Sequence, residues 1–319
     1  MPHVILITEP EDYAKEAIAL YRSLGNVFFL PKIRKNERAK IFSRTTILVI
    51  GLKYHIDTKF LADFPQLHIV AWPGTGLNHI DTAELTERGI ELISLRGRED
   101  ILKDIPSTAE QTFALMLGVL RKIPWAFDDV KRGKWDRMQW RGHELKDKLL
   151  GLYGFGRLGK LVARYAHAFG MHCIAYDPHV SRAAMAKENV RKVERKALFR
   201  TADILSLHAL LTDESRNSIS ANDLKSMKWS AVLINTARAE LIERGALRQA
   251  LEQQWIAGAG IDVLWGEETK THLKSRLLTY AKMHDNLLIS PHIGGATYEA
   301  MAKTQIHVAE LVEHELHSH

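Results

Sequence analysis

KLLGLYGFGRLGKLVARYAHAFGMHCIAYDP, residues 148–178, is the stretch that decides the fold. A short apolar run leads into Gly154-Phe155-Gly156-Arg157-Leu158-Gly159, a complete G-x-G-x-x-G pattern. Apolar residues then recur at helical spacing, and a second apolar run, Cys173 to Tyr176, ends at Asp177. This order predicts strand, glycine turn, helix, strand and acid, as in the first half of a dinucleotide-binding fold.

The three glycines have separate physical roles in such a turn. Gly154 permits the tight turn, Gly156 allows a pyrophosphate to approach the backbone, and Gly159 allows the helix to pack on the strand. The helix N-terminus then faces the phosphates. Asp177 follows Gly154 by 23 positions, near the ~20 typical of the fold, and can accept hydrogen bonds from the adenosine ribose. A purely structural glycine turn is the alternative, and the surrounding pattern favours nucleotide binding.

Composition limits the remaining possibilities. The 319 residues suit two domains, and the apolar content of 46% is sufficient for a substantial core. The formal charge of +6 fits an anionic substrate or cofactor, but no run of Lys and Arg exceeds two residues, which argues against nucleic-acid binding. Cys173 is the single cysteine, so an intrachain disulfide is impossible. No signal sequence and no apolar stretch of about 18 residues is present, so we expect no membrane contact and a cytoplasmic protein.

The N-terminal part alternates short apolar strands with helical stretches, which predicts a parallel sheet covered by helices. Gly74-Thr75-Gly76 follows one of these strands, where its backbone N–H groups could face a small anion, although a simple strand-to-helix turn explains it equally well. Arg96 and Arg98 follow the next strand, and we favour solvated side chains over contact with a charged group on the substrate. Pro106-Ser107-Thr108 starts a long helix that Ser107 or Thr108 can cap.

The alternation of strands and helices continues after Asp177 and places three polar clusters just beyond later strands. These clusters are Asn235-Thr236-Ala237-Arg238, then Asp262 with Glu267, and Pro291-His292-Ile293-Gly294-Gly295. The nucleotide-binding domain is predicted to span 102–291. The last helical stretch is too small to fold alone, so we expect it to pack on the N-terminal part, which makes 1–101 and 292–319 one discontinuous domain.

Arginine, carboxylate and histidine together suit hydride transfer to a 2-keto acid. A guanidinium binds the substrate carboxylate bidentately and polarises the ketone. A histidine gives a proton to the forming alkoxide, and a carboxylate orients the imidazole and favours its charged form.

At these residues the sequence resembles the D-isomer-specific 2-hydroxyacid dehydrogenases, a family that includes phosphoglycerate, glycerate and D-lactate dehydrogenases. The three clusters resemble its signatures, and the resemblance covers nearly the whole chain. The resemblance implies an α/β protein of two doubly wound parallel-sheet domains, in which a Rossmann NAD-binding domain is inserted in a flavodoxin-like substrate domain. It also implies a homodimer formed through the nucleotide domains and the arm around Trp135 and Trp140.

The resemblance further implies a role for each matching residue. The catalytic residues are Arg238, which binds the substrate, and Glu267 with His292 as the acid–base pair. Asp262 holds the nicotinamide amide, and Gly74-Thr75-Gly76 is the loop that binds the substrate carboxylate, with Arg238 and His292 completing the substrate contacts. The NAD-binding residues are Gly154, Phe155, Gly156, Arg157, Leu158, Gly159, Asp177, His208, Thr236, Ala237, Asp262 and Gly294. No metal site is expected, since the spacings of the other histidines fit no ligand set.

Departures from the family pattern leave the substrate open. Ala239 stands where the family usually has glycine, Leu210 replaces a usual proline, and Thr269 stands where a proline commonly follows the acidic pair. Glu267 and Glu268 are adjacent, so only the spacing of 29 positions from Arg238 favours Glu267. The alternative function is an NAD(H)-sensing, corepressor-like binding protein on the same scaffold. The intact catalytic cluster favours the enzyme.

Overall fold

The computed structural model of the protein describes residues 2–11, 13–267 and 271–318. These residues form strands in two sheets, in which every strand pair is parallel. The strands are β1 His3–Ile7, β2 Gly25–Phe29, β3 Ile47–Val49, β4 Ile69–Trp72, β5 Glu91–Ser94, β6 Leu149–Tyr153, β7 His172–Tyr176, β8 Arg191–Lys192, β9 Ile204–Leu207, β10 Val232–Asn235, β11 Gly258–Ile261 and β12 Leu287–Ile289.

Helices connect nearly all of the strands. They are α1 Lys15–Leu24, α2 Lys35–Phe42, α3 Thr58–Leu61, α4 Thr82–Glu87, α5 Glu99–Leu102, α6 Ser107–Leu120, α7 Ile123–Lys131, α8 Arg157–Ala168, α9 Arg182–Ala186, α10 Arg195–Thr201, α11 Ala221–Lys225, α12 Ala246–Glu252, α13 Arg276–Ala281 and α14 Tyr298–His317. Short 3₁₀ helices cover Leu30–Lys32, Ala239–Leu241 and Thr271–Lys274.

The chain divides into two compact units. Unit 1 comprises Met1–Ile105 with Ala296–His319, and unit 2 comprises Pro106–Gly295. The predicted fold class of two parallel-sheet α/β domains is confirmed.

Unit 1 has a five-stranded sheet in the order β2-β1-β3-β4-β5, which is the flavodoxin-like order. Its strands are apolar on both sides because helices cover both faces. One face packs against α1 and α14, where Val308, Ala309 and Val312 are buried. The side-chain oxygen of Gln305 in α14 also accepts a hydrogen bond from the Ala14 backbone N–H at 2.7 Å, just before α1. These contacts attach the C-terminal helix to the N-terminal part of the chain.

Unit 2 has a seven-stranded sheet in the order β12-β11-β10-β9-β6-β7-β8. The chain enters at β6, continues outward to β7 and β8, and then returns to β9 on the other side of β6. This reversal is the topological switch point at which α/β sheets bind ligands, beyond the carboxyl ends of the strands. Two apolar clusters cover the two faces of the sheet, one around α6 and α8 and the other around α10 to α12.

Two structural details differ from the sequence predictions. Helix α6 has Pro106 as its N-cap residue without a side-chain cap, so neither Ser107 nor Thr108 has the predicted capping role. Pro106 is already in helical conformation, with φ −87° and ψ −12°, and the helix therefore starts at Ser107. Helix α7 was not predicted. It follows Lys122, whose backbone is in the left-handed conformation, and the local sequence gives no sign of this break between α6 and α7.

No helix in the described part of the chain combines the length and apolar character needed to cross a bilayer.

Candidate active site

The carboxyl ends of the unit 2 strands carry the polar clusters that the sequence singles out. From β12 to β7 the sheet order places along one edge the turn 290–294, Asp262 with Glu267, the turn 235–238, His208, the glycine turn 154–159, and Asp177. Neighbouring strands lie ~4.8 Å apart, so five spacings make a row of about 24 Å. Such a row suits an extended ligand.

The glycine turn has the geometry that a dinucleotide requires. Gly154 has φ +95°, and a Cβ there would lie 2.5 Å from the Ala209 backbone nitrogen. A Cβ on Gly159 would lie 2.6 Å from the carbonyl oxygen of Gly154, so α8 packs tightly on the turn. Gly156, in contrast, is exposed and has open space where its Cβ would be. It is also the N-cap of α8. The first amides of a helix have no partner within the helix, so a helix N-terminus suits an anion.

The Asp177 carboxylate is fixed beside this turn by backbone amides. Oδ2 accepts a hydrogen bond from the Phe155 N–H at 2.8 Å, and Oδ1 accepts from the His179 N–H at 2.9 Å. Each oxygen keeps a second lone pair, since a carboxylate accepts about four hydrogen bonds. The side chain is therefore oriented and still able to accept from a ribose.

His208 lies next along the edge, directly after β9. Its Nε2 is 2.8 Å from the Ser206 hydroxyl, whereas its buried Nδ1 has no hydrogen-bond partner among the described residues. Burial lowers the pKa of His208 to about 4, so the ring is neutral at physiological pH. A buried ring nitrogen without a partner fits a site that a ligand completes.

The turn 235–238 is held by the buried side chain of Asn235. Its Oδ1 accepts from the Ala237 N–H and its Nδ2 donates to the Arg238 carbonyl, both at 3.0 Å. Thr236 is buried, with its hydroxyl 2.9 Å from that of Thr112 in α6. The Arg238 side chain is half-buried, and its Nη1 donates to the Ala237 carbonyl at 2.7 Å. This network fixes where the guanidinium leaves the backbone.

Glu267 and His292 lie in direct contact. Glu267 Oε2 is 2.5 Å from His292 Nδ1, and Oε1 accepts a hydrogen bond from the Leu264 N–H. The side chains are 27% and 30% exposed, so both are accessible and neither is fully solvated. Because Nδ1 is engaged by the carboxylate, Nε2 is the ring nitrogen available to another molecule. Glu268, the alternative partner considered from the sequence, lies outside the described residues.

Asp262 is almost completely buried and is hydrogen-bonded to the turn that carries His292. Oδ1 is 2.5 Å from the Ser290 hydroxyl and 3.0 Å from the Ile293 nitrogen, and Oδ2 is 2.7 Å from the Gly294 nitrogen. A Cβ on Gly294 would lie 3.0 Å from Oδ2, so glycine permits this close approach. Sequence reasoning did not assign Ser290 to the site.

In unit 1, the Gly74-Thr75-Gly76 turn folds over the indole of Trp72. The indole Nε1 donates to the Gly76 carbonyl at 2.9 Å, and a Cβ on Gly74 would lie 2.4 Å from the indole ring. Glycine is therefore required at position 74, and Thr75 is exposed at the tip of the turn.

Arg96 and Arg98 have different surroundings at the end of β5. Both guanidinium nitrogens of Arg98 contact the Asp100 carboxylate at 3.3 Å. The exposed Arg96 side chain has no ion pair among the residues that the structure describes. The Leu95 N–H donates to the Gly74 carbonyl at 3.1 Å, which ties the chain before Arg96 to the glycine turn.

No group of three potential metal ligands occurs within the described ranges.

Comparison with known proteins identifies the family. Residues 113–294 match the NAD-binding domain of the D-isomer-specific 2-hydroxyacid dehydrogenases. The chain is 34% identical over 284 residues to hydroxypyruvate reductase of Thermotoga maritima, with 89% of each chain covered. It is 33% identical over 310 residues to D-3-phosphoglycerate dehydrogenase of Methanocaldococcus jannaschii, with 97% of this chain and 56% of that protein covered. The chain thus spans about half the length of its phosphoglycerate dehydrogenase relative.

A solved structure shares the fold along the whole chain. D-lactate dehydrogenase of Aquifex aeolicus, crystallised with NAD and lactic acid, superposes with a TM-score of 0.80 at 24% identity, covering 98% of this chain and 96% of that one.

The fold and the glycine turn at its ligand-binding edge are those of a dinucleotide-binding protein. The chain belongs to the D-isomer-specific 2-hydroxyacid dehydrogenase family. The family model and the relatives confirm the predicted family, the NAD cofactor and the class of NAD-dependent oxidoreductase acting on a CH–OH group.

Proposed function

We propose that the protein transfers a hydride between NAD(H) and C2 of a small D-2-hydroxy acid or 2-keto acid, with Arg238, Glu267 and His292 as its catalytic residues. The 2.5 Å contact between Glu267 and His292 is the observation that carries this proposal. The pair lies at the ligand-binding edge of an NAD-binding sheet, next to the turns that hold Asp262 and Arg238.

In the direction of keto-acid reduction, His292 is the proton donor. Its Nδ1–H donates to the Glu267 carboxylate, which leaves Nε2–H for the oxygen on C2 of the substrate. The Leu264 N–H holds the other oxygen of Glu267, so the carboxylate keeps the imidazole in one orientation. A proton moves from Nε2 to the alkoxide as C2 becomes tetrahedral, and in the reverse direction the neutral imidazole accepts it.

Arg238 binds the substrate carboxylate and polarises the C2 carbonyl. A guanidinium suits both tasks because it is always charged and donates in a planar fork. The Asn235 side chain donates to the Arg238 carbonyl and so holds the Arg238 backbone in place. The guanidinium is therefore attached to a fixed Cα position. Preorganised positive charge near the reacting oxygen lowers the barrier because charge develops there.

The cofactor-binding residues follow the order of the strands. When bound, NADH would supply the hydride for keto-acid reduction, and NAD⁺ would accept it in the reverse direction. Gly154 to Gly159 take the pyrophosphate, Asp177 accepts from the adenosine ribose, and Asp262 with Gly294 lies at the nicotinamide end. Thr236, Ala237 and His208 line the edge between these ends.

We assign unit 2 as the NAD-binding domain and unit 1 as the substrate domain, with Gly74, Thr75 and Gly76 as its loop for the substrate carboxylate. Glycine at position 74 allows the turn to lie on the Trp72 ring with Thr75 exposed at its tip. These contacts that support the assignment of the loop all lie within unit 1.

The active form is a homodimer, and its location is the cytoplasm, where NAD(H) is available. Support for the dimer comes from the exposed apolar side chains on α7 and the arm that follows it. Trp135 is 89% exposed, and Phe127 and Met138 are exposed beside it in sequence. Trp140, which the sequence grouped with Trp135, is instead half-buried, with its Nε1 donating to Asp129 at 3.2 Å.

Oxidation of NADH in the presence of a panel of 2-keto acids tests the proposal. Glyoxylate, hydroxypyruvate, pyruvate and phosphohydroxypyruvate vary the group on C2, and turnover of at least one is expected. If NADH binds tightly and none of the panel is reduced, the corepressor-like binding protein becomes the better interpretation.

A further inference from the structure

The turn that carries His292 has a backbone conformation that needs outside support. His292 has φ +56°, in the left-handed region that residues other than glycine rarely adopt. Such conformations are stable only where surrounding contacts hold them in place. The contacts that hold this turn therefore also determine where the imidazole lies.

Asp262 supplies contacts on both sides of His292. Its Oδ1 accepts from the Ser290 hydroxyl, two residues before the histidine. Oδ1 also accepts from the backbone N–H of Ile293, and Oδ2 accepts from that of Gly294, the two residues immediately after His292. Hydrogen bonds to a buried charged group are stronger than neutral ones, so this carboxylate fixes the turn at both ends.

The donor pattern extends this network to α6. A carboxylate only accepts, so the single hydroxyl proton of Ser290 must point to Asp262. The Ser290 oxygen is then an acceptor, and Gln111 Nε2 lies 3.0 Å from it. The direction of donation is thus fixed from Gln111 to Ser290 to Asp262, and it requires the amide nitrogen of Gln111 to face the serine.

A second residue of α6 contacts the other end of the turn. The Thr108 hydroxyl donates to the Gly294 carbonyl at 3.2 Å. Thr108 and Gln111 are three residues apart, so they lie on the same face of the helix. One helix face therefore contacts the residue before the turn and the residue at its end.

We propose that Gln111 is a positioning residue for His292 and acts through Ser290 and Asp262. The inference rests on the proposed role of His292 as proton donor. Gln111 lies far from His292 in sequence and belongs to none of the polar clusters that carry the family resemblance. Gln111 orients the Ser290 hydroxyl, which donates to Asp262. This hydrogen bond keeps the Asp262 oxygens in line with the backbone N–H groups of Ile293 and Gly294.

Two substitutions separate the donor from the bulk of the side chain. Gln111→Met keeps the length and removes the donor, so kcat should fall about 3- to 10-fold, as for the loss of one buried hydrogen bond. Gln111→Glu introduces a second acceptor that competes for the Ser290 proton, so its loss in kcat should be larger, about 10- to 100-fold. The KM for the keto acid should stay within about 2-fold in both, because Arg238 is untouched. Glu110→Gln, an exposed neighbour on α6, is the matched control and should behave as wild type.

Rescue at Ser290 provides an independent readout. Ser290→Thr retains the hydroxyl and should retain most of the activity, whereas Ser290→Ala should resemble Gln111→Met. If Ser290→Ala and Ser290→Thr are equally active, the hydroxyl does not mediate the effect and the proposal is wrong.

Side-chain ¹H–¹⁵N spectra of the cofactor-free protein separate this proposal from the proposed function. The His292 signals are identified from their loss in His292→Asn. They should shift or broaden in Gln111→Met and remain unchanged in Glu110→Gln. Unchanged His292 signals, or a kcat of Gln111→Met within 2-fold of wild type, would overturn the positioning role. An active His292→Asn enzyme would instead overturn the proposed function, whatever the spectra show.

Discussion

His208 predicts a measurable dependence of stability on pH. Its pKa is lowered from 6.5 to about 4 by burial in the folded protein. Between these values the unfolded chain binds a proton that the folded chain does not. The contribution of His208 to stability is therefore complete above about pH 6.5 and is lost as the pH falls towards 4.

The size of this effect follows from the shift. A difference of about 2.5 pKa units corresponds to ~3 kcal/mol in total, of which ~2 kcal/mol is lost by pH 5. The residue as a whole is only half-buried, although its Nδ1 is buried and meets no partner in the part of the chain that the structure describes. Solvent screening therefore reduces the effect. We expect a loss of about 1–2 kcal/mol of unfolding free energy at pH 5.

The assay compares wild type with His208→Gln, which does not titrate and can still reach the Ser206 hydroxyl. Urea unfolding is followed at pH 7.5 and pH 5.0 by circular dichroism and tryptophan fluorescence. Other carboxylates and histidines titrate equally in both proteins, so the difference between the two pH-dependent losses isolates His208. Wild type should lose about 1–2 kcal/mol more than the variant. An equal loss in both proteins, or a larger loss in the variant, would refute a neutral buried imidazole.

Three further predictions concern the cofactor, the substrate and the assembly. Asp177→Ala should reduce the ratio of kcat/KM for NADH to that for NADPH by about 10- to 100-fold, because the carboxylate accepts from a free ribose hydroxyl and repels a 2′-phosphate. A higher kcat/KM with NADPH than with NADH in the wild type would contradict this role. The sequence favours solvated side chains at both Arg96 and Arg98, but Arg98 contacts Asp100 whereas Arg96 has no ion pair among the described residues, so we expect Arg96 to contact a second anionic group of the substrate. Arg96→Ala should therefore lower kcat/KM for dianionic keto acids such as 2-oxoglutarate about 2- to 5-fold relative to glyoxylate, whereas Arg98→Ala should not. Equal effects of the two variants would exclude Arg96 as a second anion contact. Light scattering should give about twice the 36.2 kDa of one chain, and Trp135→Glu should shift the mass towards one chain; a wild-type mass near 36.2 kDa would exclude the dimer.

The parts of the fold that were predictable depend on local chemistry. Strand β6, the glycine turn and β7 were predicted to within about one residue, because the turn requires glycine at fixed positions and apolar runs mark the buried strands. The apolar periodicity of the sequence predicts a first helix from Glu11 to Leu24, whereas α1 spans Lys15–Leu24. Errors of this size are expected at element boundaries.

The arrangement within the site was less predictable, because it depends on contacts between distant residues. The sequence indicates that Asp262, Glu267 and His292 follow strands, and parallel strands place such residues at one edge. It does not indicate that His292 is left-handed, that Asp262 binds the turn 290–294, or that Gln111 reaches Ser290 across 179 positions. Nothing in the sequence around Gln111 in α6 indicates which distant residue its side chain contacts.

The turnover of His292→Ala, with NADH binding measured in parallel by fluorescence, directly tests whether His292 is the proton donor. We expect kcat to fall by roughly 10²–10⁴, the usual range for loss of a general acid. NADH affinity should stay close to wild type, because the glycine turn and Asp177 are unchanged. His314→Ala, an exposed histidine of α14, is the matched control and should retain full activity. A kcat near the wild-type value in His292→Ala, with NADH bound, would contradict the mechanism.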